Sequence, residues 1–338
     1  FSSTSISFLE HAKNYVSEIT KFLKLNQNSF VVELASNDGY LLKNFLKKKV
    51  PCLGIEPTKS TYKKSLSIKI PTLNKFFGTS LSKEIVNRYR KADLVIGNNV
   101  YAHVPDINDF TKGIKNILNL NGTVTLEFPH LFNLVKHNQF DTIYHEHYSY
   151  LSLYTVRKIF AEHNLKIFHV EKIFTHGGSL RVYGCHQTNN KKINKSVSKI
   201  LTEERNAGLL KLKSYKNLQK NADKTKLEFI NFLKKLKSKN KIISAYGAAA
   251  KGNTLLNFCN IKNDTIDFVF DASKSKQNKY LPGSHIKILN PRSLLKKKVD
   301  YLLILPWNIK NEIMNSYKSL KNKGVIFFTA MNGIKIEK

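Results

Sequence analysis

Short runs of β-branched and aliphatic residues alternate with helical segments over the first part of the chain. Runs of this kind, each closed by a turn or a helix start, predict strands that are connected by helices. The predicted strands lie at 30–34, 52–55, 74–77, 93–96 and 123–126, and the predicted helices at 8–25, 58–66, 80–91 and 106–119. This alternation favours an α/β fold in which a parallel sheet carries helices on both faces.

The alternation pauses after residue 130 and then returns. Two strand-like runs, 165–173 and 179–186, follow a helix at 152–163, and the Gly-Gly pair between them predicts a hairpin at the edge of the sheet. Residues 187–240 are rich in Lys and Asn and predict a long helix or a helix pair. A second Rossmann-like unit is predicted from strands at 241–246, 266–270, 300–305 and 325–329 and helices from 251 and at 308–321. We therefore predict a domain over 1–190, a helical connector over 191–240 and a second domain over 241–338.

Composition excludes several classes of protein. The 338 residues include 41% hydrophobic ones, too many for a disordered chain, and the length suits two domains. The net charge of +32 is consistent with a polyanion-binding surface, but the Lys runs are dispersed and carry no zinc-finger or RNA-recognition signature, which favours a solvated Lys-rich exterior. The three cysteines lie far apart, so we expect a reducing, cytoplasmic location without disulfides, and no apolar run is long enough to span a membrane.

A cofactor pocket is predicted where the first strand ends, at 33–39. Ligands of open α/β sheets bind beyond the carboxyl ends of the strands. Glu33 can accept hydrogen bonds from an ammonium group, and Ala35 and Gly39 allow close approach to the backbone. Glu56 ends the next strand at the distance typical of an acid that binds ribose hydroxyls. Without a three-glycine fingerprint, these acids suit S-adenosylmethionine (SAM) or NAD, or they form an ordinary turn.

Two further segments carry polar groups at the same predicted edge. Asn98 and Asn99 end the fourth strand, where an amide can bond a carboxylate or an amine, although Asp106 also suits a helix cap. Residues 141–150 contain Tyr144, Glu146 and His147, which can together act as an oxyanion donor, an orienting carboxylate and a general base. The alternatives for this second segment are a metal site through His145 and His147, or a structural loop.

Seven segments in order resemble the SAM-dependent C-methyltransferases that act on nucleotide-linked deoxysugars. They are 33–40 (ELASNDGY), 56–57 (EP), 99–106 (NVYAHVPD), 140–148 (FDTIYHEHY), 176–181 (HGGSLR), 245–257 (AYGAAAKGNTLLN) and 281–283 (LPG). The resemblance covers nearly the whole chain. It implies a class I SAM-methyltransferase Rossmann-like domain followed by a Rossmann-like substrate domain.

The resemblance also implies a reaction and a set of site residues. The substrate would be a nucleotide-linked 4-keto-deoxysugar, methylated at C3 through an enolate. His147 would be the base, Tyr144 would stabilise or orient the enolate, and Glu146 would position its neighbours. The expected SAM-binding residues are Glu33, Ala35, Asn37, Gly39, Glu56, Phe77, Asn98 and Asn99, and the expected substrate-binding residues are His176, Arg181, Lys251 and Asn253. Small residues around Lys251 also suit close packing of a helix on a strand.

Members of this family usually carry an N-terminal zinc-binding domain and an active-site Tyr just ahead of the segment that begins at Phe1. Since neither is present here, we expect the chain to be truncated and expect no metal site within it. The expected partner is a small nucleotide-sugar, with no nucleic acid or membrane, and the expected state is a monomer.

Three other functions remain open from the residues. An O- or N-methyltransferase acting on another sugar or polysaccharide precursor would use the same base to deprotonate a different group. An NAD-linked oxidoreductase would share the architecture, although the missing glycine fingerprint disfavours it. A basic RNA-binding module would rely on the net charge alone.

Overall fold

The computed structural model describes residues 6–174, 177–331 and 333–337. The chain divides into two compact units. The first unit consists of Phe1–His130 and His147–Asn206, and the second of Leu131–Glu146 and Ala207–Lys338. The predicted domain boundaries at 190 and 240 stay predictions.

The first unit contains seven strands and seven helices among its described residues. The strands are β1 Val31–Leu34, β2 Cys52–Ile55, β3 Thr72–Leu73, β4 Ala92–Asn98, β5 Leu118–Pro129, β6 Leu165–Ile173 and β7 Ser179–His186. The helices are α1 Ile6–Phe22, α2 Leu42–Lys47, α3 Lys59–Ser67, α4 Thr79–Arg88, α5 Ile107–Ile117, α7 Leu153–Glu162 and α8 Lys195–Asn206. The short helix α6, Leu131–Lys136, belongs to the second unit.

The seven strands form one sheet in the order β3-β2-β1-β4-β5-β7-β6. Strands β1 to β5 are parallel to their neighbours, while β7 runs antiparallel to both β5 and β6. The predicted parallel sheet and the predicted hairpin are therefore confirmed. The strand order reverses direction between β1 and β4, and such a switch point is where open α/β sheets bind ligands.

The third strand was predicted in the wrong place. Residues 74–77 were expected to form it, but β3 is Thr72–Leu73. The Asn74 amide donates hydrogen bonds to the carbonyl oxygens of Glu56 and Pro57, each at 2.8 Å, and so turns the chain away from the sheet. Phe77, expected at a strand end, instead packs edge-on against Phe110 of α5, with ring centroids 5.2 Å apart.

The second unit contains a second sheet, of six strands in the order β10-β9-β8-β11-β12-β13. These strands are β8 Ile243–Tyr246, β9 Val269–Phe270, β10 Ile288–Leu289, β11 Tyr301–Ile304, β12 Ile326–Thr329 and β13 Lys335–Glu337. All neighbours are parallel except β13, which runs antiparallel to β12. Besides α6, the second unit contains the helices α9 Lys213–Lys237, α10 Ala250–Phe258, α11 Lys310–Ser316 and α12 Lys318–Asn322.

The second Rossmann-like unit is confirmed, with corrections in detail. The predicted helix at 308–321 is interrupted at Tyr317, so α11 and α12 are separate. Strands β10 and β13 were missed because two or three residues are too few to show a period in the sequence. The expected helix pair in the connector is present as α8 and α9, although α8 belongs to the first unit and α9 to the second.

No helix in the described ranges has the length and hydropathy that a membrane span requires.

Candidate active site

The switch point of the first sheet brings the ends of three strands together. Strand β1 pairs with β2 so that Leu34 lies beside Ile55, and with β4 so that Glu33 lies beside Ile96. Since these pairs are parallel, Glu33, Glu56 and Asn98 all reach the carboxyl edge of the sheet. The structure therefore brings three of the predicted SAM-binding residues to one edge of the sheet.

The loop after β1 has an unusual backbone. Ala35, Asn37 and Gly39 have positive φ angles of 55°, 54° and 76°. A Cβ atom on Gly39 would lie 2.8 Å from Cγ1 of Ile70, so both the conformation and the space require glycine there. A left-handed alanine is strained, and strain of this kind concentrates at ligand sites.

Glu33 is a buried carboxyl group with an unused acceptor. The residue is 2% exposed, and its Oε2 atom has no hydrogen-bond partner among the described residues. Burial, and secondarily the charges of Glu56, Asp38 and Glu127, raise the pKa of Glu33 well above its ordinary value. An orphaned buried acceptor fits the ammonium group of SAM, which would supply both a donor and a compensating charge.

Glu56 is fixed by the loop that it faces. Its Oε2 atom accepts a hydrogen bond from the Asn37 backbone N–H and its Oε1 atom one from the Thr58 N–H, both at 2.8 Å. Each oxygen keeps lone-pair capacity, because an ionised carboxylate accepts about four hydrogen bonds. The two backbone donors fix the orientation of the carboxylate, and its contact with the ribose hydroxyls stays a prediction.

Asn98 and Asn99 complete this edge. Both side chains are half-buried, and their Oδ1 atoms are buried with no hydrogen-bond partner in the described part of the chain. Asn99 has a φ of 53°, and its backbone N–H donates to the Glu127 carbonyl oxygen at 2.8 Å. These amides fit the polar methionyl end of SAM. For Phe77, which follows β3 by several residues, contact with adenine stays a prediction.

His147 lies close to the turn that follows β4. The backbone N–H groups of Tyr148 and Ser149 both donate to the Ala102 carbonyl oxygen, at 2.9 and 3.1 Å. The half-buried ring of His147 lies 4.6 Å from that of His103, centroid to centroid. His103 is not among the residues predicted for the site, although it lies within the 99–106 segment that carries part of the family resemblance.

The other two predicted catalytic residues, Tyr144 and Glu146, belong to the second unit, and the chain returns to the first unit at His147. Tyr144 is half-buried and Glu146 is exposed. Their roles stay predictions. In the ranges that the structure describes, no three His, Cys, Asp or Glu side chains are grouped so that they could hold a metal ion.

Arg181 lies in a buried ion cluster on the first sheet. Its Nη2 atom is 2.5 Å from Oε1 of Glu127, and its Nη1 atom donates to Oε2 of Glu171 at 3.1 Å. His11 of α1 lies 3.3 Å from the other oxygen of Glu127. Burial opposes ionisation, but the hydrogen bond to His11 and the charge of Arg181 lower the pKa of Glu127. A substrate contact at Arg181 stays a prediction, and His176 lies outside the described residues.

Replacing Arg181 with alanine is expected to lower the free energy of unfolding by about 3–5 kcal/mol, since Glu127 would keep a buried charge without its main counterion. Urea unfolding measures the loss. Lys172→Ala is the matched control, because the Lys172–Glu203 pair is partly exposed to solvent and is expected to contribute about 0–1 kcal/mol. Equal losses in the two variants would contradict the assignment of Arg181 to a buried ion pair.

Lys251 and Asn253 lie near the start of α10 in the second unit. Lys251 donates to Oδ1 of Asn308 at 2.8 Å, and its Nζ atom lies 4.9 Å from the Trp307 ring centroid. Oδ1 of Asn253 is buried without a partner among described residues. A Cβ on Gly252 would lie 2.7 Å from Cβ of Leu305, so the small residues do provide close helix packing as well.

Comparisons with known proteins identify the family of the chain. Residues 8–170 match the profile of a methyltransferase domain, and residues 174–331 that of a C-methyltransferase C-terminal domain. The chain is 30% identical over 318 residues to C-methyltransferase NovU of Streptomyces niveus, across 94% of this chain and 76% of that protein.

Solved structures with a similar arrangement include a SAM-dependent methyltransferase from Clostridium acetobutylicum (12% identity, 52% of this chain and 91% of that one, TM-score 0.42). Another is magnesium protoporphyrin IX methyltransferase from Synechocystis with bound SAH (12% identity, 53% and 83%, TM-score 0.42). The assignment depends instead on the two family profiles and on NovU, which together account for nearly the whole chain. The chain belongs to the C-methyltransferase family and is a SAM-dependent methyltransferase.

Proposed function

We propose that this enzyme methylates C3 of a nucleotide-linked 4-keto-deoxysugar through an enolate. The observation that carries the proposal is that His147 lies beside the turn after β4. The same turn follows Asn98 and Asn99, whose amides are expected to bind SAM. A base is thereby held close to the edge where a methyl donor fits. Carbon methylation itself is supported by the match to a C-methyltransferase over nearly the whole chain.

Each residue has a distinct part in the proposed reaction. SAM, when bound by Glu33, Glu56, Asn98 and Asn99, supplies an electrophilic methyl group. His147 takes the C3 proton from the sugar. The electron pair of the C3–H bond then forms a C3=C4 double bond, and the π pair of the C4 carbonyl moves to the 4-oxygen, which carries the charge of the enolate. Tyr144 donates a hydrogen bond to that oxygen, and Glu146 orients its neighbours. The ketone is essential, because it makes the adjacent carbon acidic.

A substrate with deuterium at C3 tests this proposal. Incubation with the enzyme in ordinary water, without SAM, is expected to wash the deuterium out, and addition of SAM is expected to give a product that carries one more methyl group. Mass spectrometry reads both results. His163→Asn is the matched control, since this ring contacts Asn108 on the surface, and it is expected to retain the exchange.

Other results point to other functions. A methylated product that retains all its C3 deuterium would contradict the C3 enolate and favour methylation at C5, the other carbon beside the ketone, or O- or N-methylation. No methylated product from any 4-keto-sugar nucleotide would contradict the proposed substrate class.

A further inference from the structure

Asp141 is a buried carboxylate of the second unit to which the motifs gave no role. It lies in a single 3-10 turn, Phe140–Thr142, which packs on α10 through the Phe140 and Phe258 rings, 5.0 Å apart. The residue is 1% exposed. Its Oδ2 atom accepts a hydrogen bond from the Trp307 indole N–H at 2.7 Å, while its Oδ1 atom is buried with no partner in the described ranges.

The Trp307 ring connects this carboxylate to Lys251. The indole N–H points to Asp141, and the ammonium of Lys251 lies over the ring at 4.9 Å from its centroid. The lysine donates to Asn308 as well, at 2.8 Å. Three separate segments, namely the 140–142 turn, the start of α10 and the 307–309 turn, thus supply one charged cluster. An ammonium group has three donors, so Lys251 has capacity for a ligand beyond Asn308.

If its role were only structural, this charged cluster would be a poor source of folding stability. Apolar side chains of similar volume are often as stabilising as a buried ion pair, or more so. Burial raises the pKa of Asp141 to about 6, against the opposing effects of Lys251, of the Trp307 indole and of the backbone N–H groups of Asp141 and Thr142. Burial lowers the pKa of Lys251, and Asp141 opposes that shift. The carboxylate therefore favours the charged form of the lysine.

We propose that Asp141 is a positioning residue that orients Trp307 and keeps Lys251 as a fixed ammonium ion for the diphosphate of the sugar-nucleotide substrate. The nature of the ligand rests on the proposed function, but the arrangement has its own chemical logic. A cation near a helix N-terminus suits a phosphate. The side chain of a lysine is flexible, so its ammonium group is poorly oriented by itself. Here the ring of Trp307 and the carboxylate of Asp141 restrict the position of Lys251.

Binding of thymidine diphosphate glucose, measured by calorimetry without SAM, tests this role. Both phosphates of this probe are esterified, so its charge is constant near pH 6. At pH 8, Asp141→Asn is expected to weaken binding about 10-fold, the lower end of what removal of an orienting partner costs. Lys251→Met is expected to weaken it at least as much, and the double variant no further than Lys251→Met alone. Asp264→Asn, an exposed acid of the same unit, is the matched control and should bind normally.

The pH profile separates orientation from folding. Affinity of the unaltered enzyme is expected to fall as the pH decreases through about 6, because Asp141 gains a proton, and Asp141→Asn should lack this dependence. Trp307→Phe, which keeps the ring but loses the N–H, should weaken binding less than Asp141→Asn does. Thermal unfolding shows whether each variant is folded. If Asp141→Asn does not fold, the loss of binding is measured in Trp307→Phe instead.

Three results would overturn the role: normal binding by Asp141→Asn at pH 8, additive losses in the double variant, or no binding of the probe by the unaltered enzyme. Because the assay needs no turnover, Asp141-dependent binding without a methylated product would contradict the C3 methylation instead. A methylated product without Asp141-dependent binding would contradict only the positioning role.

Discussion

Replacing His147 with alanine is expected to lower the rate of methyl transfer by about 10²–10⁴-fold, the usual contribution of a general base. The affinity for SAM is expected to stay unchanged. The fold explains why the rate should fall while the SAM affinity does not. The groups that fit SAM lie at the ends of β1, β2 and β4, whereas His147 lies on a later segment and contacts the 101–103 turn. Single-turnover product formation and calorimetric SAM binding measure the two quantities.

The companion assay is deuterium wash-out from C3 in the absence of SAM. His147→Ala should lose it together with methyl transfer, since both need the same proton abstraction. His163→Asn should retain both. If the alanine variant kept a nearly normal rate, another group would have to be the base. If it lost SAM binding as well, its role would be to hold the 99–106 segment rather than to move a proton.

The sequence predicted the first sheet well because each of its main strands is an apolar run closed by a turn. The exception is β3, where a side-chain hydrogen bond ends the strand early. Thr72 and Leu73 pair with β2, but the polar side chain of Asn74 bonds two backbone carbonyls and ends the strand. A hydrogen bond from a side chain to a distant backbone competes with the sheet, and no local pattern reveals it.

The same limit applies to the site. The pocket acids were predicted because strand ends converge in any parallel sheet, so Glu33 and Glu56 need only their positions in sequence. Asp141 and Trp307 are bonded across 166 positions, and Arg181 meets Glu127 across 54. These pairs depend on the packing of particular elements rather than on a period or a motif. The carboxylate partners of Arg181 were therefore not predicted from the sequence, and its substrate-binding role stays a prediction.

Replacing Glu33 with glutamine is expected to weaken SAM binding by about 10–100-fold, in line with about 1.5–3 kcal/mol for a hydrogen bond to a charged group. The amide keeps the shape and one acceptor but cannot carry the charge that compensates an ammonium group. The same change is expected to stabilise the ligand-free enzyme at neutral pH, because it removes a carboxyl group whose ionisation is opposed by burial and by three neighbouring acids. Loss of affinity with gain of stability distinguishes a binding residue from a structural one.

The effect of Glu33 on the free energy of unfolding should depend on pH. The pKa of Glu33 is raised in the folded state, so as the pH rises above about 4.3 the unfolded chain releases this proton first. The free energy of unfolding therefore falls with rising pH until the folded group also ionises. Glu33→Gln should lack this contribution, and its advantage over the unaltered enzyme should shrink as the pH falls towards 4. Urea unfolding from pH 4 to 8 measures it, with the exposed Glu18→Gln as control.

Binding of SAM should release a proton from the unaltered enzyme, since Glu33 must ionise to pair with the ammonium group. Calorimetry below pH 7, in buffers with different ionisation enthalpies, counts that proton, and Glu33→Gln should release none. Proton release that persisted in the variant would assign the titration to a group other than Glu33. Unchanged SAM affinity in Glu33→Gln would remove Glu33 from the pocket, and its unpartnered oxygen would then represent only a cost to folding. A carboxyl group that is buried, unpaired and destabilising in the free enzyme is explained most simply by the ligand that it binds.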